Sequence, residues 1–389
     1  MNIRLSILSL ALISSLTGCA GMTKNLNPVN WFGSSTPSAD KPAALIDFKP
    51  STSIKTNWSA SVGESKQIAF SPAVAINAVY ATSAKGQISR LNPSTGKTEW
   101  QTDTNAPLTA GVGATADSEY VGTLKGEVIA FDDTGKKRWT TALSSTVLGV
   151  PKAAEGIVVV RTEDGHIYGL SADDGKQKWM YQRLLPALIL RSQASLLITK
   201  GAIFAGYPGG KLVALSLDTG NVGWEASVAQ PRGASEIERV SDVTSMPVID
   251  DKQVCAVSYQ GRVACFEIRT GNLLWAKEMS STAGMTMDAD NVYISDTKGN
   301  VVALEKTRGV SVWKQAQLQN RQLTAPARIG NYLAVGDYDG HVHLMALDDG
   351  HFVARTSTDG SAIISRPQDK NDNIVVQTAK GGIYALTVQ

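Results

Sequence analysis

Between Lys85 and the C-terminus one unit recurs eight times: a Gly closing a tight turn, a short strand ending in Leu or Phe, an Asp/Asn-rich turn with a second Gly, and usually a Trp. The first Gly of each unit is Gly86, Gly126, Gly165, Gly210, Gly261, Gly299, Gly340 and Gly381, at steps of 40, 39, 45, 51, 38, 41 and 41 residues. A period near forty with four short strands per unit predicts a β-propeller.

The second half of the unit repeats as tightly. Gly96, Gly135, Gly175, Gly220, Gly271, Gly309 and Gly350 follow the first Gly by ten residues, or by nine in the second unit. Trp100, Trp139, Trp179, Trp224, Trp275 and Trp313 fall four residues later. Runs such as Asn92-Pro93-Ser94-Thr95-Gly96 and Asp173-Asp174-Gly175 have the chemistry of turns that fold one strand back on its neighbour, so each unit reads as an antiparallel meander. Runs that are apolar throughout, Ile157 to Val160 for example, suit inner strands covered on both faces. The repeated Trp is expected on the outer strand, filling the wedge between blades with a ring that buries on the order of 200 Å².

Closure of the ring is also legible. The eighth unit ends at Gln389 before its turn and Trp can occur, while Ile54-Lys55-Thr56-Asn57-Trp58 resembles Lys97-Thr98-Glu99-Trp100. The expectation is an all-β, eight-bladed β-propeller of four-stranded antiparallel blades over residues 54–389, with an N-terminal strand completing the last blade and covering an otherwise open edge. That gives 42 residues per blade. Blade seven has Ala354 where Trp is expected, which predicts a different packing of its outer wedge.

The start of the chain has another character. After Arg4, the apolar run Leu5 to Ile13 and the small residues before Cys19 read as a secretion signal over 1–18, too short for a finished membrane span. Leu16-Thr17-Gly18-Cys19 resembles the bacterial lipobox, which implies cleavage ahead of Cys19 and lipidation of that residue; Ala20 in place of Asp implies delivery to the outer membrane. Several acyl chains, at about 0.8 kcal/mol per buried methylene, suffice for stable anchoring. Residues 19–53 are rich in Pro, Ser, Asn, Thr and Ala without periodicity, the composition of a flexible tether with a reach of some 30 Å. Trp31-Phe32 within it fits either a lipid or partner contact or a merely exposed pair.

Composition argues against several functions. A formal charge of +2 on 389 residues gives no support for a nucleic-acid partner or a polybasic membrane patch. Cys255 and Cys265 flank the turn at Gln260 symmetrically, so they should face each other across paired strands; a disulfide and two reduced buried thiols both fit. Of the four His, His341 and His343 share a strand face with no Asp, Glu or Cys at metal-ligand spacing, and His166 occupies the place of His341 in another blade. No nucleophile elbow, zinc-binding pair or phosphate loop is present, so the residues nominate no catalytic group, no cofactor ligand and no metal site.

Segments such as Ala130-Phe131-Asp132-Asp133-Thr134-Gly135 with Trp139, and Ala214 to Trp224, resemble the repeats of pyrroloquinoline-quinone (PQQ) enzymes, which oxidise alcohols with a quinone and a calcium ion at the propeller centre. The matching residues are those that build blades, and no adjacent cysteine pair is present, so the resemblance implies the fold and not the cofactor. A quinone-dependent periplasmic oxidoreductase is the alternative function.

Function should lie where the repeat breaks. The steps of 45 and 51 residues place insertions on both sides of the fourth blade, between Trp179 and Ile203 and between Trp224 and Val254, and these should emerge on one face. The first contains Leu184-Leu185-Pro186-Ala187-Leu188-Ile189-Leu190-Arg191, in which alternation puts Leu188 and Leu190 together; an interface and a loop folded back on the blade fit equally. The second, Gln230 to Asp242, mixes charge with turn formers, and the capping-box spacing of Ser235 and Glu238 admits a short helix. Leucines beside Arg191 and Asp242 would give an apolar anchor with a charged rim.

The lipobox, the eight blades, the Leu188 to Arg191 segment, and Gln230-Pro231 followed by Glu236, Ile237, Arg239, Ser241, Asp242 and Val243 together resemble the BamB family of outer-membrane β-barrel assembly lipoproteins over essentially the whole chain. The resemblance implies a non-catalytic, lipid-anchored scaffold on the periplasmic face of the outer membrane. It would bind a POTRA domain of the barrel-forming subunit BamA and assist outer-membrane protein clients, without nucleic acid. It implies partner contacts at Leu188, Leu190, Arg191 and Asp242, with Glu236 and Arg239 in the same loop. The family commonly carries a second acidic residue two positions after the first, where this chain has Thr244.

Overall fold

Thirty-two short strands pair into eight four-stranded antiparallel sheets in a computed structural model that describes residues 41–193, 195–370 and 373–389. The expected signal, Cys19, Trp31-Phe32 and the first half of the expected tether lie outside the described residues. Seven sheets are sequential meanders, from the first blade (73–103) to the seventh (327–357). The eighth combines Gln368–Lys370, Asn373–Gln377 and Gly382–Val388 with Ile54–Ser61, which pairs along Gly382–Val388 and completes the blade from the other end of the chain. The innermost strands of blades one to three touch in turn, as do those of blades five to eight, and blade eight meets blade one. Strands such as Ile157–Arg161 are buried between two sheets, which is why they read as continuous apolar runs.

One joint is repeated around the ring. Trp275 on the outer strand of blade five donates its indole N–H to the Lys306 carbonyl in the turn of blade six at 2.7 Å. Its ring lies so close under Gly309 that a Cβ there would come within 2.3 Å, and Gly309 holds φ at +69°; a Gly is required twice over. The same joint links Trp58 to Pro93 and Gly96, Trp100 to Asp133 and Gly135, and Trp313 to Leu347 and Gly350, with equivalents at Trp139, Trp179 and Trp224. In every blade the pairing slips by one residue just before the Trp position, as between Ala303 and Leu304 opposite Trp313 and, in the eighth blade, between Thr56 and Trp58, and this bulge turns the ring toward the next blade. In the fifth blade the left-handed turn position is Gln260, φ +46°, so Gly261 is needed for space instead: a Cβ there would meet Ser258 Oγ at 2.2 Å.

Blade seven shows why Ala354 replaces Trp. The eighth blade has no turn between its third and fourth strands, because Gly382–Val388 and Ile54–Ser61 are not consecutive in the sequence. With no turn carbonyl to receive an indole, the wedge is filled by the incoming chain. Ser51 and Thr52 donate their N–H groups to the Val353 carbonyl at 3.0 and 3.3 Å, and Ile54 packs in the cluster that holds Ala354.

Residues 43–53, expected to belong to the flexible linker, are instead strapped to the ring. Leu45, Ile46 and Phe48 join the core between blades six and seven, and Phe48 stacks on Phe352 with centroids 5.6 Å apart. Arg321 donates to the Ala43 carbonyl and Arg355 to that of Ile46, at 2.9 and 3.0 Å. Both arginines belong to a buried network. Asp337 accepts from Arg321 at 2.8 Å and from His343 at 3.0 Å, while His343 accepts from Arg355 at 3.1 Å. Asp337, across the turn from His341 and His343, is the acid that spacing alone did not single out; the arginine and histidine around it hold its carboxyl below the usual range even though burial opposes this.

Cys255 and Cys265 are register partners on two inner strands of blade five, both fully buried, and are joined by a disulfide.

Candidate partner-binding surface

Both insertions emerge at the end of the ring that carries the first Gly turns of blades three, four and five. Leu185 lies over Gly165, where a Cβ would meet it at 2.8 Å, and the Pro186 ring lies 3.7 Å from the Cβ position of Gly209. Gln260, in the corresponding turn of blade five, brings its side chain to the carbonyls of Glu238 and Val240. The leucine-rich segment is therefore divided in its use. Leu185 folds back as blade packing, whereas Leu184 and Leu188 remain 90% and 42% exposed. Leu190 is half-buried and turns toward the central cavity, so it does not share the surface position of Leu188. Arg191 projects with its side chain 60% exposed and pairs with Glu163 of blade three at 2.9 Å.

Asp242 was expected on a charged rim and is instead buried, at 2% exposure. One carboxylate oxygen accepts the N–H of Leu190 at 2.7 Å, the other accepts that of Gly209 at 2.9 Å, and its backbone carbonyl accepts the N–H of Tyr259 at 2.8 Å. A short acid carrying full charge can satisfy two backbone donors at once, and such charge-assisted bonds are about twice as strong as neutral ones. Asp242 thus joins the two insertions to each other and to the hairpin of blade four. Beneath it, burial pulls the Arg161 guanidinium below the usual arginine range, and the negative ends of Tyr207 and Asp242 offset part of that shift.

The second insertion forms a single turn rather than a helix. The reciprocal capping bonds are present, Glu238 N–H to Ser235 Oγ at 3.3 Å and Ser235 N–H to Glu238 Oε2 at 3.2 Å, but the chain leaves the turn after Arg239. Glu236 and Arg239 are exposed and pair with each other at 3.0 Å, and Arg239 also donates to the Gly233 carbonyl. Ile237 between them is 70% exposed, an apolar residue that alternation in the sequence did not single out because the surrounding residues are polar. Thr244 is buried at the cavity wall, donating to the Thr282 carbonyl at 3.4 Å.

A cavity of about 960 Å³ occupies the ring centre, lined from all eight blades. Asp296 is the one carboxylate among its described lining residues, and its oxygens are taken up by the N–H groups of Lys298 and Asn300 and by the Asn300 amide. A quinone with calcium needs free acids for the metal and for proton abstraction, and this lining does not fit them. Asp348, Asp349 and His351 meet on an exposed turn of blade seven, where His351 Nδ1 already pairs with Asp349.

A family model described as outer membrane protein assembly factor BamB matches residues 84–315. The chain belongs to the BamB family. Among its relatives, the outer membrane protein assembly factor BamB of Nitrosomonas eutropha is 43% identical over 100% of this chain and 95% of that protein. That of Bordetella pertussis is 42% identical over 89% of this chain and 90% of its own length. The crystal structure of BamB from Moraxella catarrhalis superposes with a TM-score of 0.80 at 30% identity, covering 86% of this chain and 99% of that one. Quinohemoprotein alcohol dehydrogenase from Comamonas testosteroni shares the fold, with a TM-score of 0.71, at only 13% identity. The family therefore accounts for the eight-bladed ring and its PQQ-like repeat, and the likeness to the dehydrogenase extends to the fold alone.

Proposed function

We propose that the protein is a non-catalytic scaffold of the outer-membrane β-barrel assembly machinery, which binds the barrel-forming subunit BamA at a periplasmic POTRA domain. The observation that carries this reading is the Asp242 clamp. It joins the two insertions into one surface that presents Leu184, Leu188, Arg191 and Ile237. Leu188 and Ile237 supply apolar anchors, and Arg191 with the Glu236–Arg239 pair supplies the charged rim. Leu190 and Asp242 act from behind that surface, as supports for it.

In the same reading Cys19 carries lipid and holds the propeller at the periplasmic face of the outer membrane, and the exposed outer strands of the blades offer edges to incoming client strands. Leu188→Asp and Arg191→Ala should each abolish co-purification of the barrel subunit from detergent-solubilised membranes while far-UV circular dichroism stays unchanged; retained co-purification by both would overturn the assignment. Cys19→Ser should move the protein from the membrane fraction to the soluble fraction, and a protein still membrane-bound would contradict the anchor.

A further inference from the structure

Gln193 lies just beyond the leucine segment, between the last strand of blade three and the first strand of blade four, yet it bonds to neither blade. Its Oε1 accepts the N–H of Ala69, which leads into blade one, at 2.7 Å, and its Nε2 donates to the carbonyl of Thr109 in the inner strand of blade two, also at 2.7 Å. Gln193 and the preceding Leu190, Arg191 and Ser192 line the central cavity. The insertion therefore reaches across part of the ring centre, and one amide, using its donor and its acceptor together, ties it to two further blades. No sequence-local requirement explains this, because Ala69 is 124 and Thr109 is 84 residues away.

We infer that Gln193 is a positioning residue for partner binding: with Asp242 holding Leu190 on one side, it braces the loop that presents Leu188 and Arg191 from the other. The inference rests on the docking reading above. A loop pinned at both ends loses little conformational freedom when a partner binds, and that saving appears as affinity.

The test uses the complete protein and the detergent-solubilised barrel subunit, with affinity measured at pH 7.5 and pH 5 and referred to wild type at each pH. Gln193→Ala should bind about tenfold more weakly at both, the effect of losing two hydrogen bonds of ordinary net strength. Gln193→Glu discriminates further. As a carboxylate it keeps an acceptor for Ala69 but opposes the Thr109 carbonyl, and as a neutral acid it again has one donor and one acceptor. It should therefore be weak at pH 7.5 and regain affinity relative to wild type at pH 5, a response that a simple packing role would not produce. Wild-type affinity of both variants at both pH values would overturn the brace, as would a Gln193→Glu deficit that does not change with pH. Leu188→Asp, run alongside, separates the two ideas: if it too binds normally, the docking reading itself fails.

Discussion

The indole of Trp58 donates its N–H to the carbonyl of Pro93 at 2.9 Å, across the seam where the N-terminal strand of blade eight meets blade one. This is the same joint that each Trp makes with the next blade, but here it joins segments that also close the ring. The Cβ position of Gly96 lies 2.4 Å from the Trp58 ring.

Trp58→Ala should therefore cost about 3 to 5 kcal/mol of stability, the usual range for emptying a buried Trp site. Gly96→Ala should destabilise too, because the added methyl meets the ring at a left-handed φ of +70°. Denaturant titration of each variant measures both; stability within 1 kcal/mol of wild type for Trp58→Ala would mean that the seam does not hold the ring closed.

Restoring the repeat at blade seven should fail. Ala354 is 2% exposed and packed in a cluster with Ile54 and Val388 beside it, and the neighbouring blade has no turn to accept an indole N–H. Ala354→Trp should be destabilising by about 1 to 3 kcal/mol or more through overpacking. A rise in melting temperature would contradict this account of the exception.

Asp242→Asn keeps the shape of the clamp but removes its charge and turns an amide NH₂ toward one of two backbone donors. A loss of about 1 to 3 kcal/mol is expected, with faster amide exchange at Leu190 and Gly209 and weakened binding of the barrel subunit. Thermal melting, hydrogen exchange and pull-down together check it. Normal exchange at both amides would show that the carboxylate is not what holds them.

Glu119 is fully buried between blades one and two, and burial pushes its carboxyl up to about 7, against the lowering influence of Tyr80 and Arg90. The folded value lies above the unfolded one of 4.5, so folding is favoured most below pH 4.5 and this contribution is lost as pH rises through 7. The loss amounts to as much as about 3 kcal/mol. Glu119→Gln should flatten the fall in stability between pH 5 and 8; a variant whose denaturant midpoint tracks wild type across that range would exclude Glu119 as the source.

The blade count, the meander, the closing strand and the Trp and Gly positions were all legible in the chain, because turn chemistry and strand alternation act over a few residues and recur at a fixed period. The two insertions stood out for the same reason, as departures from that period. What tertiary structure alone decided is the direction of individual side chains within them. Asp242 looks like a surface charge until Leu190 and Gly209, 52 and 33 residues away, bring their N–H groups to it. Residues 43–53 look like tether until Arg321, Arg355 and Phe352 present partners for them. Burial of a charge or the docking of an extended segment depends on partners assembled from distant parts of the chain, and only the closed ring brings those together.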